Sequence, residues 1–80
     1  MSTTSADIAR TIHAACPQVQ FGEADYGTSL KDLGVDSLDV AVIFLSIAED
    51  LGVLVPDAEI DALDTVDRIA AYVAGREAAR

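Results

Sequence analysis

The chain has one cysteine, Cys16, one histidine, His13, no tryptophan, and only two phenylalanines and two tyrosines among its 80 residues. A single cysteine excludes an internal disulfide, and no cluster of Cys and His exists that could hold zinc, so no metal site is expected. Positive charge is equally scarce, with five Lys and Arg against fourteen Asp and Glu and a formal net charge of −9. Long hydrophobic runs are missing too. The longest, Val40-Ala41-Val42-Ile43-Phe44-Leu45, falls far short of the ~20 apolar residues that a membrane helix needs. The N-terminus carries no basic region ahead of a hydrophobic stretch, so the expected location is the cytoplasm.

What is there is an evenly spread apolar content of 51%, which suits a small aliphatic helical core rather than disorder. The length sets a single domain over 1–80, with flexible ends expected at about 1–4 and 76–80. Acidic residues concentrate in the second half: Asp32, Asp36, Asp39, Glu49, Asp50, Asp57, Glu59, Asp61, Asp64 and Asp67 lie between Lys31 and Arg68 with no Lys or Arg among them. Such a field repels nucleic acid and anionic membrane and attracts basic protein patches.

Along the chain, Thr4 and Ser5 offer caps, Asp7 sits in the favoured first turn, and Ile8, Ile12, Ala15 and Cys16 recur at helical spacing before Pro17. The spacing predicts a first helix over about 5–16, with His13 and Cys16 in packing or solvent-facing positions. From Pro17 to Asp36 the period breaks and a long loop is expected, pinned by Val19, Phe21, Tyr26, Leu30 and Leu33, with a single helical turn at Leu30 to Leu33. A second helix is predicted over Ser37 to Leu51, ended by Gly52. Its Leu38, Ala41, Val42, Leu45 and Ala48 fall on one side, and Val40, Ile43, Phe44, Ile47 and Leu51 on another. A helix apolar around so much of its circumference either is wrapped by other helices or receives a partner or ligand. Val53-Leu54-Val55 reads as a buried connector, Asp57 as a cap, Ala58 to Leu63 as a short helix, and Val66 to Ala74 as a last helix capped by Thr65 and ended by Gly75. The fold class is therefore all-α.

Leu33-Gly34-Val35-Asp36-Ser37-Leu38-Asp39 places one serine hydroxyl where the loop hands over to the second helix. Gly34 supplies backbone freedom at the loop end, and Asp36 or Ser37 can act as the first acceptor of the helix. A phosphate bonded to Ser37 would lie beside unpaired N–H groups at the positive end of that helix. Nucleophilic catalysis by Ser37 lacks support, because a base and an oxyanion stabiliser are needed and no histidine is near in sequence.

Capped helix, long loop, Gly-Val-Asp-Ser-Leu at a helix start and Val-Pro-Asp shortly after that helix together resemble an acyl carrier protein. The resemblance runs from about Ile8 to Val73. It implies a four-helix bundle with a short third helix, and 4′-phosphopantetheine attached covalently to Ser37 by a separate phosphopantetheinyl transferase using coenzyme A. It also implies a carrier of acyl thioesters, no enzyme in itself, that works as a monomer with acyltransferase, ketosynthase or ligase type partners bearing basic or mixed apolar patches. Asp36, Leu38, Asp39, Val42, Glu49 and Asp50 are the expected partner contacts. Val40, Ile43, Phe44, Ile47, Leu54, Ile60, Leu63 and Ile69 are the expected core or acyl pocket, with filler and pocket wall not separable from sequence. The chain departs from fatty acid carriers where it has Val42 and Ala48 in place of the acids usual five and eleven residues after the serine. That departure favours a dedicated polyketide or related pathway over housekeeping fatty acid synthesis. A peptidyl or aryl carrier of a nonribosomal system is the runner-up; those often have a glycine and a histidine just before the serine, where this chain has Val35 and Asp36.

Overall fold

A computed structural model describes residues 3–78 of the chain. Its helices are α1 (Ser5–Ala15), α2 (Ser37–Leu51), α3 (Asp57–Ile60) and α4 (Val66–Ala78), with a 3-10 turn at Glu23–Asp25 inside the long loop, and no strand among the described residues. The all-α class and the short third helix agree with the sequence.

Helix α1 starts where a capping box closes it. The Thr4 hydroxyl accepts the Asp7 N–H at 3.2 Å, and the Asp7 carboxylate accepts the Thr4 N–H at 2.9 Å, satisfying two donors that a helix start leaves over. Helix α2 repeats the device with Asp36 and Asp39, and ends at Gly52, whose φ of 69° is the left-handed conformation that a side chain would strain. Helix α1 packs against both α2 and α4. The core between them is aliphatic: Ile8 and Ile12 from α1, Ile43, Phe44 and Ile47 from α2, and Val66, Ile69 and Val73 from α4.

The long loop is stitched to the far end of the chain. The Leu30 N–H donates to the Asp64 carbonyl at 2.7 Å and the Asp67 N–H to the Tyr26 carbonyl at 3.0 Å, while Val19, Leu30 and Val35 enter the core. The turn expected at Leu30 to Leu33 forms, with the Leu33 N–H reaching the carbonyls of Ser29 and Leu30.

Three boundaries differ from the sequence reading. Helix α4 does not end at Gly75 but continues to Ala78. Gly75 has no positive φ, Arg76, Glu77 and Ala78 are good helix formers, and the Thr3 N–H donates to the Glu77 carboxylate at 2.8 Å, which gives the extra turn a tertiary anchor. The expected flexible ends fall partly on residues 1, 2, 79 and 80, outside the described residues; inside them, Thr4 caps α1 and residues 76–78 are helical. Helix α3 begins at Asp57, after an extended Pro56, rather than at Ala58, and stops at Ile60. Residues 61–63 instead turn tightly, with Ala62 and Leu63 N–H groups donating to the carbonyls of Glu59 and Ile60, and so deliver Asp64 to Leu30. Finally, Leu54 is no core residue: it is 76% exposed. Burial alternates along the connector, with Val53 buried, Leu54 exposed and Val55 half-buried, so the side chain next to buried Val53 faces out.

Candidate functional site

Ser37 is the first residue of α2 and is exposed. Its position follows from the three residues before it. Gly34, at φ 93°, turns the loop in a conformation unsuited to a side chain, and Val35 is buried and donates its N–H to the Leu30 carbonyl at 3.0 Å. With Val35 anchored, Asp36 becomes the cap and Ser37 stands at the head of the helix. The Asp36 carboxylate takes the Asp39 N–H at 2.9 Å, and the Asp36 carbonyl takes the Val40 N–H at 2.9 Å. The Ser37 and Leu38 N–H groups have no acceptor within the helix, and the Ser37 hydroxyl makes no hydrogen bond among the described residues.

An open cleft of about 680 Å³ lies beside that hydroxyl, between the loop before α2 and the α3–α4 segment. Leu30, Val35, Val40, Ile60 and Leu63 form its apolar walls, and Ser37, Lys31, Asp61 and Asp64 stand along its polar margin. Of the expected pocket residues the structure brings Val40, Ile60 and Leu63 to the cleft, half-buried. Ile43, Phe44, Ile47 and Ile69 are buried in the core, and Leu54 belongs to neither. Leu30, read from the sequence as a loop anchor, and Val35, read only as part of the serine motif, are also walls; their apolar character was visible, but their meeting with α3 was not.

The expected partner residues separate into two groups. Leu38, Val42 and Glu49 lie along one exposed stripe of α2 together with Leu45, with exposures of 77% at Leu38, 45% at Val42 and 60% at Leu45. Asp50 is exposed nearby on the last turn. Asp36 and Asp39 have structural work instead, since their carboxylates close the α2 capping box, and Asp39 also accepts from Gln18 Nε2 at 3.4 Å. The question left by an all-round apolar α2 is thereby answered: Val40, Ile43, Phe44, Ile47 and Leu51 turn inward, and the Leu38 side stays uncovered.

Neither His13 nor Cys16 lines the cleft. His13 is exposed with its ring 4.4 Å from that of Phe21. Cys16 is buried, with Sγ 3.9 Å from the Asp39 carbonyl, and burial, reinforced by the negative charge of Asp39, raises its thiol above the usual range. No histidine therefore stands beside the Ser37 hydroxyl among the described residues.

A phosphodiester with a flexible arm fits this arrangement. The hydroxyl is open to solvent, two helix-terminal N–H groups face an anion placed there, and an apolar cleft adjoins. Comparison with known proteins agrees. The family described as phosphopantetheine attachment site matches residues 6–73. The chain is 37% identical over 46 residues to a mitochondrial acyl carrier protein of Dictyostelium discoideum, covering 58% of this chain and 38% of that protein. It is 34% identical over 44 residues to an acyl carrier protein of Campylobacter hominis and 36% identical over 44 residues to one of Zymomonas mobilis, in each case 55% of this chain and 56% of the relative. The chain thus spans about half the length of these relatives, or less. No solved structure matches significantly.

Proposed function

The chain belongs to the phosphopantetheine attachment-site family, and on that premise we propose that it is a carrier whose Ser37 hydroxyl accepts 4′-phosphopantetheine and whose cleft shelters acyl cargo. When bound, the group supplies a terminal thiol that holds acyl chains as thioesters on a long tether. The protein supplies the rest: Asp36 and Gly34 present Ser37 at the head of α2, the Ser37 and Leu38 N–H groups stabilise the phosphate, and the apolar walls offer water-free surface to a chain. The tether keeps an intermediate at high effective concentration for successive enzymes. The reading requires no catalytic residue in this chain.

The single observation that carries it is the exposed, unbonded Ser37 hydroxyl at a capped helix start beside an apolar cleft. A phosphopantetheinyl transferase is the first partner. The enzymes that load and unload cargo dock on the Leu38, Val42, Leu45 and Glu49 stripe, and an apolar seat with a basic margin complements it. That mixed stripe favours a dedicated polyketide or related pathway over bulk fatty acid synthesis, and acyl over aminoacyl cargo. No helix among the described residues is long and apolar enough to cross a membrane; a cytoplasmic, monomeric carrier completes the reading.

Intact mass measured after incubation with coenzyme A and a broad-specificity transferase tests it. The expected result is a gain of one phosphopantetheine, lost in Ser37→Ala while the helical circular dichroism is unchanged. No gain, or a gain that persists in the variant, overturns the assignment. Offering the modified protein malonyl and amino acid loading enzymes then separates acyl from aminoacyl cargo.

A further inference from the structure

Helix α3 is a single turn that holds itself in place poorly. It has no side-chain cap, contributes no buried residue, and begins after a proline that makes no capping hydrogen bond. Yet it carries Ile60, one wall of the cleft beside Ser37, and leads directly into Leu63, another. Its position therefore sets how wide that cleft is.

One side-chain hydrogen bond joins α3 to another helix among the described residues: the Tyr72 hydroxyl of α4 donates to Glu59 Oε2. Glu59 and Ile60 are neighbours on the same turn, so the residue that faces α4 and the residue that walls the cleft move together. The Arg76 guanidinium lies over the Tyr72 ring, 6.0 Å from its centroid, close enough for the ring face to feel its charge. Arg76 belongs to the extra turn of α4 beyond Gly75. The bond to Glu59, with partial burial second, raises the Tyr72 phenol above its usual range, so it stays a proton donor through neutral pH. A hydrogen bond to a carboxylate is stronger than a neutral one.

We propose that Glu59 and Tyr72 form a clasp that holds α3 against α4 and so limits the length of acyl chain the cleft beside Ser37 can shelter. Both are positioning residues: neither lines the cleft, and each acts through Ile60 and Leu63. With the clasp closed, short chains are covered and longer ones protrude. With it open, α3 swings outward and the cleft admits longer chains. The inference rests on the carrier reading above.

Wild type, Tyr72→Phe, Glu59→Ala and Glu59→Gln are each loaded at Ser37 with butyryl, octanoyl or dodecanoyl pantetheine from the matching acyl coenzyme A. The melting temperature of each loaded form is compared with that of the same variant carrying the unacylated arm. In wild type the gain should level off between octanoyl and dodecanoyl. In Tyr72→Phe and Glu59→Ala it should keep rising to dodecanoyl, and amide exchange at residues 57–64 should speed up about tenfold. Glu59→Gln keeps an acceptor and should follow wild type. A uniform drop in melting temperature at every chain length, with the profile unchanged, would mean a purely structural bond and overturns the clasp. If wild type takes the arm but gains nothing from any chain, the sheltering cleft fails and the clasp with it, whereas Ser37 attachment stands. Because Glu59 is exposed on a one-turn helix, its two variants keep the test open even if Tyr72→Phe folds badly.

Discussion

Asp7 shows how much a single capping carboxylate does at the residue scale. It accepts the Thr4 N–H at 2.9 Å and the Thr4 hydroxyl at 3.1 Å, and pairs with Arg10. The backbone bond first, then the hydroxyl, lower its pKa from the ordinary 3.8. A carboxyl group whose folded value is depressed contributes stability that is complete above the unfolded value and is lost as pH falls through the folded one. Replacing Asp7 with Asn should therefore lower the denaturation midpoint by a constant amount at neutral and mildly acidic pH. The gap to wild type should shrink as pH drops from 3.8 toward the lowered value; a gap independent of pH would contradict this. Such residues are readable from sequence because the interaction is local. Thr4 with Asp7 and Asp36 with Asp39 are three apart, and Ser37 follows its cap directly. Leu54 shows the opposite case: its apolar side chain suggests burial, but burial alternates along the connector and leaves it in solvent beside buried Val53.

Helix α2 could be bounded to the residue at both ends because each end has its own signal, an acidic cap and a left-handed glycine. Helix α4 could not. Gly75 looks like the same stop signal, but a glycine ends a helix only where the chain adopts positive φ, and here Thr3 holds the following turn through Glu77. Gly75 is thus an interior helix residue, exposed, with nothing within 4 Å of where a Cβ would sit. Gly75→Ala should stabilise the protein by about 0.5–1 kcal/mol, or roughly 2–8 °C in melting temperature for a domain of this size. A thermal melt that is unchanged or lower would show that the turn beyond Gly75 is not helical in solution. Helix α3 is the element whose limits were least legible. Its extent is decided by Asp64 reaching Leu30 and by Tyr72 reaching Glu59, contacts from distant parts of the chain.

For the whole molecule, ten carboxylates between Lys31 and Arg68 repel one another across one small surface. Of these, Asp64 is paired with Arg68 at 2.9 Å across an exposed bridge, which contributes little. Raising ionic strength shortens the Debye length to about 10 Å at 0.1 M, so added salt, and magnesium more strongly, should raise the melting temperature. A melting temperature indifferent to both would contradict the repulsion argument. The sequence by itself determined the helical class, the starts of α1 and α2, the end of α2 and the placing of Ser37, because caps, left-handed glycines and helical periodicity act within a few residues. Only the tertiary structure decided which side of α2 is buried, that Leu30 and Val35 meet Ile60 and Leu63 in one cleft, and that α4 runs past Gly75 to place Arg76 beside Tyr72. Those outcomes depend on which surfaces far apart in the chain exclude water together, and no local pattern carries that information.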